Sequence, residues 1–141
     1  MTSPSAPGHI GLAVRDLRRS VPFYRDAFAL TLMHEGEARG TRFAFLGDGA
    51  RVTLTLWEQD GAGLQHLAFE APSPEDVQAA QHRLARLGAS LVYDGVVPHA
   101  EGAASGGLFF TDPDGIRLEL YAQSGIQGDA PVSGAPTCGF F

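Results

Sequence analysis

His9, His66 and Glu119 are the residues whose types and spacing suggest chemistry. Two imidazoles and one carboxylate suit a divalent transition metal, with positions left open for water, oxygen or a substrate. Taken singly, each has a plainer explanation. A histidine that opens a strand is commonly an edge residue, and a strand glutamate is commonly solvated. Their places in an internal repeat favour the joint reading. His9-Ile10-Gly11-Leu12-Ala13-Val14 and His66-Leu67-Ala68-Phe69-Glu70-Ala71 are alternating segments about 57 residues apart. Glu119 falls in the strand that closes the second copy. His34, His82 and His99 lack this support, and His82 is expected on the solvent face of a helix.

The elements that must position these side chains follow the same repeat. Each copy reads as strand, helix and three strands. The first helix is expected over 20–29, with Ser20 as cap, Pro22 in the first turn, and Val21, Tyr24, Ala27 and Phe28 on one stripe. The second is expected over 74–87, between a Ser73 cap and a Gly88 stop, with Val77, Ala80, Leu84 and Leu87 at helical spacing. Two hairpins are expected: Thr41 to Leu46 with Arg51 to Glu58, and Leu108 to Thr111 with Ile116 to Tyr121. Further strands are expected at Leu30 to His34 and Ser90 to Tyr93.

Alternation then sorts the faces. Ile10, Leu12 and Val14 form an apolar set, as do Leu67, Phe69 and Ala71, and Ile116, Leu118 and Leu120. His9, His66 and Glu119 fall on the opposite faces, beside the small residues Gly11, Ala13 and Ala68. In the first copy's closing strand, Thr55 and Trp57 share that face. If the strands curl around a hollow, the three ligand candidates point into it.

Ten basic and sixteen acidic residues give a net charge of -6, which excludes the basic face a duplex nucleic-acid binder needs. No apolar run reaches the ~18 residues of a membrane span, and 1–8 lack the pattern of a secretory signal. The single cysteine, Cys138, excludes an internal disulfide framework. A cytoplasmic protein is expected. Residues 124–141 form a Gly/Pro-rich tail whose apolar end, Phe140 and Phe141, is either a free end or docks on the body, a partner subunit or the pocket.

Gly8-His9-Ile10-Gly11-Leu12-Ala13-Val14-Arg15-Asp16-Leu17, with Ser20-Val21-Pro22-Phe23-Tyr24, resembles the opening of vicinal-oxygen-chelate proteins, the glyoxalase/bleomycin-resistance/extradiol-dioxygenase superfamily. The segment from Phe109 through Asp112-Pro113-Asp114-Gly115 to Tyr121 resembles their closing hairpin. The resemblance implies an α+β fold of two βαβββ modules, about 8–59 and 64–123, forming an incomplete barrel around a cavity. It also implies one domain over 1–123, a divalent metal and a homodimer.

Within that superfamily the ligand set His9, His66 and Glu119 is similar to that of extradiol dioxygenases, which favours iron(II) or manganese(II) over zinc(II) or nickel(II). The expected substrate is a small oxygen-bearing molecule of the catechol kind. Candidate catalytic residues are His99 and Tyr121, with His99 or Glu101 as the proton-transfer group; Thr55, Trp57 and Phe109 are candidate pocket residues. Phe109 stands where such dioxygenases place a tyrosine. A glyoxalase-like lyase or isomerase is the alternative. The fourth carboxylate ligand of glyoxalase I would fall at Thr53 or Thr55, and Glu58 lies on the other face. A fosfomycin thiol transferase ranks lower, because the loop from Val97 to Ser105 has no lysine. A metal-free drug-sequestering protein of the bleomycin-resistance kind is the remaining alternative.

Overall fold

The structure is a computed structural model and describes residues 5–99 and 104–128. Glu101, Cys138, Phe140 and Phe141 lie outside the described residues. The elements, in chain order, are β1 (Ala6–Val14), α1 (Leu17–Phe28), β2 (Thr31–Ala38), β3 (Thr41–Gly47), β4 (Val52–Glu58), β5 (Gly63–Glu70), α2 (Pro74–Leu87), β6 (Val97–Pro98), β7 (Gly106–Thr111) and β8 (Arg117–Ala122). Eight strands in a mixed, open sheet and two helices make an α+β fold, as expected. Among the described residues no helix is long and apolar enough to cross a membrane.

The described residues group into two compact units. The first comprises 8–67. Its strands run in the order β2-β3-β4-β1-β5, with β1 parallel to β4 and β3 antiparallel to both β2 and β4. Alternation works here as anticipated. Val14, Ala44, Leu46, Leu54 and Leu56 form a core with Leu17, and Leu12, Val21 and Tyr24 pack against it. Phe43, Phe45, Thr55 and Trp57 take the opposite face and are also buried.

Several expectations about this unit need correction. Helix α1 starts at Leu17, three residues before the expected start, and Ser20 is inside it. Asp16 is the cap, extended at φ -149 and accepting from the Arg18 N–H. The Glu58 carboxylate accepts the Leu17 N–H at 2.9 Å, so two acidic side chains serve the helix start. Pro22 therefore sits in the body of the helix, at the cost of one backbone bond. The stripe is Leu17, Val21 and Tyr24; Ala27 and Phe28 are exposed. Ile10 is 43% exposed despite its place in the apolar set. Strand β2 also runs four residues beyond His34, paired along β3.

The second unit comprises 5–7 with the described residues from 68 onward. Its order is β5-β8-β7-β6. Ala71, Val77, Ala80, Leu108, Leu120, Ala122 and Ile126 form its core. Helix α2 has the expected bounds. Ser73 accepts from the Asp76 N–H, Pro74 opens the first turn, and Gly88 closes the helix at φ 72, a region a Cβ disfavours. The expected strand at 90–93 is not formed. The segment makes an isolated bridge, Leu91 to Phe110, before Asp94-Gly95 turns it into the two-residue β6. Leu87, at the end of the α2 stripe, and Ile116, before β8, are exposed.

Two predictions follow from these caps and turns. Ser73→Ala is expected to cost about 1 kcal/mol in urea unfolding, with Ser73→Thr, which keeps both the acceptor for the Asp76 N–H and the donor to the Asp76 carboxylate, closer to the parent. Asp48 turns the β3–β4 hairpin by accepting the Ala50 and Arg51 N–H groups, both at 2.8 Å. Its carboxyl is held below the usual carboxylate range, first by the Arg51 N–H and then by that of Ala50. Its stabilisation is therefore complete above the unfolded carboxylate value of about 4 and fades as pH falls through the lower folded value. Urea midpoints measured from neutral to acid pH are expected to fall less steeply for Asp48→Asn than for the parent.

Candidate functional site

Two clusters of buried polar side chains stand out, one in each unit. In the first, β1 and β5 place His9 and His66 with their Nε2 atoms 2.9 Å apart and their rings edge to face. His9 is 9% exposed and His66 is fully buried. Both therefore depart from the ordinary edge histidine. Gly11 makes this packing possible: a Cβ there would collide with Nδ1 and Cε1 of the His66 ring. The Gln65 Oε1 lies 2.5 Å from His66 Nδ1, and Gln65 is itself buried.

The candidate pocket residues Thr55 and Trp57 lie in the same unit on β4. Pairing sets Thr55 opposite Gly11 on β1 and Phe45 on β3, and Trp57 opposite Ala13 and Phe43. Thr55 Oγ1 accepts from Trp57 Nε1 at 3.3 Å. Phe43, Phe45 and Trp57 form an aromatic cluster with ring centroids 5.1 to 5.9 Å apart. Thr55 is thus the buried threonine of β4 on the histidine face, while Thr53 is exposed. His34 borders Phe43 and Phe45 from β2 and is exposed.

In the second unit Glu119 is 1% exposed on β8. His99, just after β6, brings Nε2 to 2.5 Å from Glu119 Oε2, and its Nδ1 lies 2.8 Å from Ser105 Oγ. The backbone holds the same contact, since the His99 N–H donates to the Ser105 carbonyl. Phe109 pairs with Glu119 across β7 and β8. Its ring and that of Tyr121 flank His99 at 5.9 and 6.1 Å. Imidazole and carboxylate side chains are donor types that a divalent metal takes. His82 is exposed on α2, as expected.

Gln65 and Ser105 did not emerge from the sequence reading. Alternation sends Gln65 to the face opposite His66, and only the length of its side chain returns the amide to the ring. Ser105 closes a loop whose path the sequence pattern does not fix.

Residues 6–120 match the Glyoxalase/Bleomycin resistance protein/Dioxygenase superfamily. The chain belongs to this superfamily. Among superfamily relatives, a catechol-2,3-dioxygenase of Bacillus subtilis is 31% identical over 86% of this chain and 44% of its own length. A manganese-dependent 2,3-dihydroxybiphenyl 1,2-dioxygenase of Geobacillus genomosp. 3 is 31% identical over 81% of this chain and 35% of its own. The chain thus spans less than half the length of either dioxygenase. The crystal structure of methylmalonyl-CoA epimerase from Mycobacterium tuberculosis superposes with a TM-score of 0.67 at 25% identity, covering 89% of this chain and 94% of that one. Further superfamily relatives are named as a glutathione transferase and a probable lactoylglutathione lyase. The relatives named here are thus enzymes of several reaction types.

Gly11→Ala is expected to displace the His66 ring at an overpacking cost of about 1–3 kcal/mol. The check is a thermal melt together with the His66 ring-proton resonances. Unmoved resonances would show that Gly11 does not shape the histidine pair.

Proposed function

We propose that this chain is a metal-dependent enzyme in which His9, His66 and Glu119 hold one divalent ion, and that it acts on a catechol-like molecule as an extradiol-type dioxygenase. The observation that carries this reading is the buried pair of imidazoles whose Nε2 atoms lie 2.9 Å apart. Glu119, buried in the second unit, is the carboxylate of the proposed set. Two imidazole nitrogens and one carboxylate oxygen suit iron(II) or manganese(II) and also admit zinc(II) or nickel(II). The printed name of the Geobacillus relative supports manganese. When bound, such an ion supplies Lewis acidity and a site for dioxygen.

The chain's own residues do the rest. His99 orients the Glu119 carboxylate and is the group placed to move a proton. Thr55, Trp57 and Phe109 are the pocket residues of this reading; all three are buried, and Thr55 Oγ1 accepts from Trp57 Nε1. Tyr121 sets the His99 ring from β8. A lyase or isomerase is the second reading, supported by the relative named as a lactoylglutathione lyase. Thr55, in place of a carboxylate on β4, weighs against the four-ligand form of that site.

The test uses protein purified without oxygen, loaded with iron(II) or manganese(II), and given a panel of catechols in air. Yellow ring-opened products are expected. His66→Ala and Glu119→Ala are each expected to lose more than the ~10–100-fold in metal affinity that removing an outer partner costs. Metal uptake without product from any catechol would sink the dioxygenase reading. Failure to take up any divalent ion would sink the metal site and favour a sequestering protein.

A further inference from the structure

We propose that Gln65 is a positioning residue that locks the neutral His66 imidazole in the tautomer protonated at Nδ1, leaving Nε2 as the acceptor nitrogen. The use of that nitrogen as a metal ligand rests on the reading above. The lock itself rests on geometry within one unit.

Gln65 Oε1 lies 2.5 Å from His66 Nδ1, with both side chains buried. An amide oxygen carries no proton and can only accept, so Nδ1 is the donor. A neutral imidazole has one N–H, so Nε2 carries the lone pair. Nε2 faces His9 Nε2 at 2.9 Å.

Gly11 keeps the lock in place. A side chain there would collide with the His66 ring and come within 3.0 Å of Gln65 Oε1. Ring and amide oxygen together occupy the space that a side chain at residue 11 would take. The repeat does not supply this device twice. The residue before His9 is Gly8, which has no side chain to offer. The second histidine is therefore set from its own preceding residue, and the first is not. An outer N–H given to an oxygen acceptor is also what fixes ring orientation and basicity in a ligating histidine.

The experiment compares the parent with Gln65→Leu, which keeps bulk and removes the acceptor, and Gln65→Glu, which keeps an acceptor. Long-range proton–nitrogen NMR on metal-free protein reads the His66 tautomer directly, with His66→Ala to assign the signals. The parent and Gln65→Glu are expected to show the Nδ1-protonated form, and Gln65→Leu a shift towards the Nε2-protonated form. Titration with manganese(II) and zinc(II) against a chelating dye is expected to show ~10–100-fold weaker binding for Gln65→Leu and about the parent affinity for Gln65→Glu. Melting curves confirm that each variant is folded. An Nε2-protonated His66 in the parent would overturn the proposal, as would Gln65→Leu with an unchanged tautomer. Equal loss of affinity in both variants would reduce Gln65 to packing and also overturn it. If the parent shows the expected tautomers and binds no metal, the lock stands and the metal reading fails.

Discussion

Buried imidazoles need partners, and that requirement organises the first unit. His66 is fully buried and meets it twice, through Gln65 at Nδ1 and His9 at Nε2. Neither contact fits unless the neighbouring strand is bare at residue 11, because the ring lies where a Cβ would be. The strand pairing Gly11 to Thr55 then fixes which β4 residue shares that face. The aromatic cluster of Phe43, Phe45 and Trp57 follows from the same register. A polar pair, a missing side chain and a hydrophobic wall are thus consequences of one alignment of strands.

The second unit solves a similar problem with a charge. A carboxylate as buried as Glu119 is costly unless it is paired or hydrogen-bonded. His99 meets it at Oε2, and Ser105 holds His99 from behind through both side chain and backbone. His99 follows β6, which pairs antiparallel with β7 through Val97 and Pro98. Both clusters share a plan in which an imidazole that meets a candidate ligand is itself held at its other nitrogen.

Membership of the superfamily constrains the fold more than the reaction. Its relatives named here include dioxygenases, an epimerase, a transferase and a lyase. Function must be argued from features of this chain's own side chains. In this chain those features are Thr55 on β4, Phe109 opposite Glu119, and His99 bonded to that carboxylate.

The sequence alone determined the repeat, the two helices, the hairpins and the three ligand candidates, because these rest on local rules. Alternation places His9, Thr55 and Trp57 on one face, and a Ser-Pro start with a glycine stop bounds α2 to the residue. Only the tertiary structure decided what depends on distant partners. Asp16 replaces Ser20 as the α1 cap, helped by Glu58 from β4, a contact across 41 residues that no local pattern encodes. The segment at 90–93 reads as a strand yet makes a single bridge to β7, with backbone bonds from the Val92 N–H to Phe109 and from the Thr111 N–H to Ser90. Gln65 reaches His66 against the alternation of its own strand, and His99 finds Glu119 through a loop. Side-chain length and loop path set those contacts, and neither leaves a period in the sequence.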